Sequence, residues 1–179
     1  MINLKITDLK KYLKNKNEEE LIQEILTLTK DFNMVKEYYN LMINPEAEKE
    51  TLEKYKKIVE NEFLPDRGFG KMGYSVVKEA IKEFQRISNL EENIAELMLF
   101  YAEIGLAFTN TYGDIDKKFY NNIEKAYDNA LDYIFKNGLE NIFKDKASEI
   151  QYAASGIGWG FGDYIDELYC NYYGCEVDE

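Results

Sequence analysis

Four glycines alternate with larger residues in the stretch SGIGWGFGDY, residues 155–164. Such a loop cradles phosphate groups when it follows a strand with the spacing G-x-G-x-x-G, or when Gly-Lys-Ser/Thr ends it. Here Phe161 occupies the place of the third glycine, no Gly-Lys-Ser/Thr follows, and the preceding residues have a helical pattern. We therefore predict a packing loop that begins at Ser155 and enters the last helix between Trp159 and Asp163.

Trp159 gives the same loop an alternative role as a binding surface. It is the only tryptophan of the chain, and tryptophans anchor many protein interfaces. If its ring faces inward, it fills the space that the glycines leave. If it faces outward, it is a candidate contact for a ligand or a partner.

A second glycine-bearing stretch, NTYGDID, carries oxygen atoms that could bind a divalent cation. Asn110, Asp114 and Asp116 supply the amide and carboxylate oxygens that such cations prefer, and Asp163 could join them if the fold brings it near. The spacing is not that of an EF-hand, and the same residue types build a turn that ends in a helix cap. We predict the turn and no metal site, and keep Asn110, Asp114 and Asp163 as speculative binding residues.

The third loop, PDRGFGKMGY, places two cations, Arg67 and Lys71, on a glycine-bearing segment of an acidic protein. Such a pair could bind an anion. The alternative is a solvated loop in which Arg67 pairs with a nearby carboxylate. We keep both residues as candidates for binding.

The residue types that most often drive catalysis are scarce. The chain has no histidine, so neither a Ser–His nor a Cys–His dyad can form. Cys170 and Cys175 are the only cysteines; we expect free thiols in a reducing compartment, and without histidine they cannot complete a metal site. We predict no catalytic residue, no metal and no cofactor, and lean towards a protein that is not an enzyme.

The composition is that of an acidic globular chain. Its 179 residues carry a net charge of −12, with 45% hydrophobic and 31% charged residues, which suits one folded domain. The N-terminus lacks an apolar signal core and no window reaches about 20 apolar residues, so we expect a cytoplasmic protein outside the membrane. The net charge opposes binding to nucleic acid.

The first 17 residues have the opposite charge to the chain as a whole. They contain one acid, Asp8, and five lysines: Lys5, Lys10, Lys11, Lys14 and Lys16. With the segment that follows, they loosely resemble the SAP-type helix–turn–helix of DNA-binding proteins, although the usual glycine-bearing connection is missing. Weak nucleic-acid binding through this basic helix is therefore one functional alternative.

Helical spacing of apolar residues extends over nearly the whole chain. The pattern predicts an all-α fold of eight or nine helices in a single domain, residues 1–179. We expect a helical bundle or an α-solenoid-like arrangement of antiparallel helix pairs. The Pro- and Gly-bearing segment at 64–74 predicts a loop between an N-terminal part, 1–63, and a C-terminal part, 75–179.

Capping residues predict where several helices begin and end. The predicted N-caps are Thr7, Asn44, Ser75 and either Asp114 or Asp116, and a helix is predicted to begin directly after Asn17 with acids in its first turn. Gly138 lies where the helix-ending glycine of a Schellman motif belongs.

Four stretches together resemble a bacterial family of unknown function, DUF6155: TDLKKYLKN…EEELIQEIL, EFLPDRGFGK, FTNTYGDIDKKFYNNIE and SGIGWGFGDY. They span most of the chain. The resemblance implies a mostly helical single domain and suggests that the three glycine-bearing loops form a family signature. It implies no activity and no catalytic residue.

The leading functional hypothesis is a non-enzymatic helical domain that binds a protein or peptide through tyrosines and the Trp159 loop. Aromatic residues make up 15% of the chain, and Tyr172 and Tyr173 of the last helix are candidates for exposed rings. The alternative is a small-molecule or metal-dependent enzyme that uses the binding residues named above. That alternative requires the three glycine-bearing loops to meet at one concave pocket.

Overall fold

The structure, a computed structural model, describes residues 3–175. Within this range it contains nine α-helices, one 3₁₀ turn (Pro45–Ala47) and no strand, so the predicted all-α fold is confirmed. The helices are α1 (Ile6–Lys14), α2 (Glu18–Asp31), α3 (Asn33–Ile43), α4 (Glu48–Phe63), α5 (Tyr74–Ile87), α6 (Glu91–Tyr112), α7 (Lys117–Lys136), α8 (Glu140–Ala154) and α9 (Phe161–Tyr173).

Three of the predicted helix ends are confirmed by their hydrogen bonds. Asn17 and Glu20 form a reciprocal capping box at the start of α2. The carboxylate of Asp116 accepts a hydrogen bond from the backbone N–H of Phe119, 2.7 Å away, and so caps α7. Gly138 ends α7 in a Schellman motif, in which the next residue, Leu139, donates its N–H to the carbonyl of Ile134.

Two other predicted N-caps are wrong, and the third is right in position only. The N-cap of α1 is Lys5, so Thr7 lies inside the helix. Asn44 is the N-cap residue of the 3₁₀ turn that precedes α4, with Pro45 directly after it, but its side chain makes no cap bond. Ser75 also lies inside its helix, because α5 already begins at Tyr74, where the tyrosine ring packs on Phe63 of α4.

The central element is α6, which contacts α4, α5, α7 and α8. It is apolar around most of its circumference, and eleven of its residues are buried, as expected for a helix enclosed by others. Gly105 allows α7 to lie close: a Cβ atom there would lie 2.3 Å from Cδ1 of the buried Ile123. The fold is a bundle built around α6.

The two N-terminal helices lie outside this core. Neither α1 nor α2 contributes a buried residue, whereas the hydrophobic core contains residues from α3 to α9. The link between the two groups is α3, which contacts α2 on one side and α5 on the other. The chain between Phe63 and Tyr74 contains no helix.

The expectation of free cysteines is wrong in this structure. Cys170 and Cys175 form a disulfide with their Cα atoms 4.8 Å apart. The cause is local: Gly174 ends α9 with a φ of 77° and donates its N–H to the carbonyl of Cys170. This turn returns the chain towards α9 and brings Cys175 beside Cys170.

Candidate functional site

All six predicted binding residues have exposed side chains. They lie on three segments: Arg67 and Lys71 between α4 and α5; Asn110 and Asp114 at and after the end of α6; and Trp159 and Asp163 at the start of α9. The three segments are the three glycine-bearing loops of the sequence.

A chain of aromatic rings joins these three loops at one end of the bundle. Phe69 of the first loop packs on Phe108 of α6, with ring centroids 5.5 Å apart. Phe108 packs on Phe119 of α7 at 5.6 Å, and Phe119 packs on its neighbour Tyr120 at 5.3 Å. The ring of Tyr120 then lies 5.1 Å from that of Phe161, the first residue of α9. The loops therefore meet through apolar rings rather than through their charged residues.

The polar groups of the second loop hold the turn between α6 and α7. The Tyr120 hydroxyl lies 3.0 Å from Oγ1 of Thr109 and 3.4 Å from a carboxylate oxygen of Asp114. Thr109 donates to the carbonyl of Gly113 at 3.1 Å. Among residues 3–175 no three Asp, Glu or Cys side chains are close enough to hold a metal ion. The arrangement is that of a hydrogen-bonded turn.

Among the described residues, the two cations of the first loop have no acidic partner. Neither Arg67 nor Lys71 forms an ion pair within the described part of the chain, and the neighbouring Asp66 pairs with Lys57 instead, at 3.3 Å. Arg67 is therefore not neutralised by a nearby carboxylate.

Trp159 faces the solvent, with 73% of its surface exposed. It adopts a left-handed backbone conformation, φ 64°, which is uncommon for a residue with a side chain. Its neighbours in the pattern point the other way, since Phe161 is buried and Ile157 packs against the core. The large side chains of the glycine run therefore do not share one face.

Five concave surfaces of the described residues lie apart from most of the predicted binding residues. None of the five is lined by Arg67, Lys71, Asp114, Trp159 or Asp163. Asn110 alone takes part, in a shallow groove between α6 and α8. The three loops share a packed end of the bundle, and none of these concave surfaces is common to them.

More than half of the exposed large apolar side chains of the described residues lie in the N-terminal segment. Eleven large apolar side chains are exposed between residues 4 and 43: Leu4, Ile6, Tyr12, Ile22, Ile25, Leu26, Leu28, Phe32, Tyr38, Met42 and Ile43. We call this set the N-terminal face.

A small polar cluster fastens α1 to α2 beside the N-terminal face. The Tyr12 hydroxyl donates to Glu24 at 2.7 Å, and Lys16 pairs with the same carboxylate at 2.9 Å. Hydrogen bonds from Tyr12 and Lys16 lower the pKa of the Glu24 carboxyl. The cluster connects α1 to α2 through Tyr12, which is itself one of the residues of the N-terminal face.

A second feature is a basic groove over α6, between α5 and α7. It consists of two adjoining cavities of about 470 and 410 Å³ that share Lys78 and Lys125. Six lysines line them: Lys78, Lys82, Lys117, Lys118, Lys125 and Lys136. We call it the lysine groove.

The comparison with protein families gives one result. The model of a family described as "Family of unknown function (DUF6155)" matches residues 4–172 of the chain. The chain belongs to the DUF6155 family. The matched range includes the three glycine-bearing loops, in agreement with the resemblance drawn from those stretches. No curated protein and no solved structure matches the chain.

Sequence reasoning missed the lysine groove of this DUF6155 member, although part of the signal was present. Lys78 and Lys82 lie four residues apart on α5, and Lys118 and Lys125 lie seven apart on α7, so each pair lies on one face of its helix. The sequence did not reveal that both rows border α6. Nor did it reveal that Tyr101 of α6 is buried at the wall between them.

Proposed function

We propose that this protein is a non-enzymatic helical domain that binds a protein partner through the N-terminal face. The observation that supports this proposal is the exposure of eleven large apolar side chains between residues 4 and 43, a segment in which α1 and α2 bury no residue and α3 buries only Leu41. Exposed large apolar side chains that gather on a folded domain are typical of an interaction surface.

The occupant that suits this face best is an amphipathic helix with acidic residues at its borders. Ile22, Ile25 and Leu26 recur at helical spacing on α2, the arrangement by which one helix receives another. Four exposed lysines without an ion pair among the described residues lie on and before α1, the helix that precedes α2: Lys5, Lys10, Lys11 and Lys14. These cations would pair with acids of the partner and steer its approach.

The Trp159 loop is a weaker candidate for the same role. Trp159 is one exposed ring, and the buried side chains on either side of it contribute no area to a contact. The enzyme alternative also loses support, since none of the five concave surfaces joins the three loops. Within residues 3–175, no helix is long and apolar enough to cross a membrane. A cytoplasmic location belongs to the proposal, and there the Cys170–Cys175 bond would be reduced.

The test is to isolate the partner from the native host and to measure its binding to the purified chain by calorimetry. The double variant Ile22→Glu/Leu26→Glu places charges on the N-terminal face without touching the core, and we expect it to weaken binding about tenfold or more. Ile142→Glu changes an exposed apolar residue of α8 and is the matched control, expected to bind as the parent does.

Three results would contradict the proposal. Binding lost on Trp159→Ala but retained in Ile22→Glu/Leu26→Glu would move the interface to the glycine loop. Self-association in analytical ultracentrifugation that the double variant abolishes would make a second copy the occupant. Salt-sensitive binding of duplex DNA that Lys10→Glu/Lys11→Glu abolishes would assign α1 to nucleic acid instead.

A further inference from the structure

The lysine groove combines an apolar floor with a polar, basic end. Ile81, Met98 and Ala126 line the first cavity, one from each of α5, α6 and α7. Two asparagines, Asn121 and Asn122, stand among the lysines of the second cavity. Cavities of a few hundred Å³ with an apolar wall and a few convergent polar groups are typical of sites for small molecules.

The charge of the groove is opposite to that of the chain. Six lysines face it in a protein of net charge −12. The only acid that lines either cavity is Asp132, and Lys136 already pairs with it at 2.6 Å. The other five lysines form no ion pair within residues 3–175. A row of cations without counter-charges, held together by the fold, attracts an anion.

An independent observation at the same place points to a ligand. Tyr101 lines the first cavity and is only 2% exposed, yet its hydroxyl has no hydrogen-bond partner among the described residues. Buried hydroxyls in folded proteins are nearly always paired, so each exception requires an explanation. Burial raises the pKa of the Tyr101 phenol, so the hydroxyl keeps its proton at neutral pH.

We propose that the lysine groove binds a small organic anion of the organic phosphate class, with an apolar body. The phosphate lies in the second cavity among Lys78, Lys117, Lys118 and Lys125, and the body lies on the apolar floor of the first. The Tyr101 hydroxyl donates to an oxygen of the ligand from the wall of the first cavity. This site is separate from the N-terminal face, so it does not depend on the proposed partner.

The test uses 1-naphthyl phosphate as the probe, with inorganic phosphate and 1-naphthol as its two halves, in an NMR titration of the labelled chain. We expect the intact probe to shift the amide signals of the groove segments of α5, α6 and α7. It should bind at least about tenfold more tightly than either half, and more weakly as salt is added. Vesicles of phosphatidic acid offer the same phosphate on a lipid; they should bind no more tightly than uncharged vesicles.

Variants separate the contributions of the lysines and of the Tyr101 hydroxyl to the binding of the probe. Lys78→Ala/Lys125→Ala should weaken binding about tenfold or more, whereas Lys144→Ala, an exposed lysine outside the groove, should leave it unchanged. Tyr101→Phe removes only the unpaired hydroxyl, so we expect an unchanged or higher melting temperature together with about tenfold weaker binding.

The proposal is overturned by several outcomes. These are the absence of shifts at the groove with millimolar probe, equal binding of the probe and 1-naphthol, or binding of phosphatidic acid vesicles without binding of the probe. Equal losses of affinity for the probe in the Lys144→Ala control and in Lys78→Ala/Lys125→Ala would also overturn it. A lower melting temperature with unchanged affinity in Tyr101→Phe would show that the hydroxyl has a structural role only.

Discussion

The glycines of the run SGIGWGFGDY differ in the physical reason for glycine at their positions. Gly160 precedes α9 in a left-handed conformation, φ 73°, which glycine adopts without steric cost. Gly162 has ordinary backbone angles, but a Cβ atom on it would lie 2.7 Å from the carbonyl oxygen of Ala154 at the end of α8. Gly158 has neither constraint. The run brings α8 and α9 together and then leaves Trp159 outside.

Gly162→Ala and Gly158→Ala form a matched pair within this loop. We expect Gly162→Ala to lower the free energy of unfolding by about 2 kcal/mol, because its Cβ atom would meet a backbone oxygen that cannot shift without moving the end of α8. That loss corresponds to roughly 4–8 °C in melting temperature for a domain of this size. Gly158→Ala should remain within about 0.5 kcal/mol of the parent. Equal melting temperatures for both variants in calorimetry would show that α8 and α9 are not held as close together at Gly162 and Ala154 as the structure has them.

At the scale of helices, an ionic network ties three elements together beside the apolar core. Glu96 of α6 pairs with Lys56 of α4 at 2.8 Å and with Lys146 of α8 at 2.7 Å. Burial opposes the ionised form of Glu96, but the hydrogen bonds from Lys146 and Lys56 outweigh it and lower the pKa of the carboxyl. The network therefore stabilises the packing of α4 and α8 on α6 only while Glu96 is charged.

Glu96→Gln should cost about 1–2 kcal/mol at neutral pH, since charge-assisted hydrogen bonds become ordinary ones. The pKa of Glu96 in the folded state lies below the usual value of 4.5. The ionised carboxyl therefore stabilises the fold fully above pH 4.5, and this stabilisation is lost as the pH falls through the folded pKa. The difference in the free energy of unfolding between the parent and Glu96→Gln, measured with urea, should thus be constant near neutral pH and become smaller in acid. Glu149→Gln, an exposed acid of α8 without an ion pair, is the control. A difference that persists unchanged below the folded pKa would contradict the electrostatic cause.

The sequence predicted the elements better than the site. Helical periodicity and the caps at Asn17, Asp116 and Gly138 depend on neighbouring residues, so they could be recognised directly. The start of α5 depends on the contact of Tyr74 with Phe63, eleven residues away. The lysine groove requires α5 and α7 to lie on either side of α6, which is a property of the tertiary packing. The glycine patterns indicated that the loops were unusual, but not that aromatic rings join them.

At the scale of the whole molecule, the chain consists of a well-packed body and a lightly attached N-terminal pair of helices. The body, α4 to α9, buries its apolar residues around α6. The pair α1 and α2 is connected to it through α3 and presents the N-terminal face to solvent. The two proposed sites are thus on different parts: the lysine groove on the well-packed body, and the partner surface on the attached helices.

This division predicts unequal hydrogen exchange along the chain. The amides of α1, α2 and α6 are all in helices, so differences among them report on packing rather than on secondary structure. Because α1 and α2 bury no residue and α6 buries eleven, we expect protection at least about 100-fold lower in α1 and α2. A bound partner should raise protection in α2 and leave α6 unchanged, whereas the organic phosphate should act on α5, α6 and α7 alone. Uniform protection of the free chain would mean that the N-terminal helices are held by the body more firmly than their exposed side chains indicate.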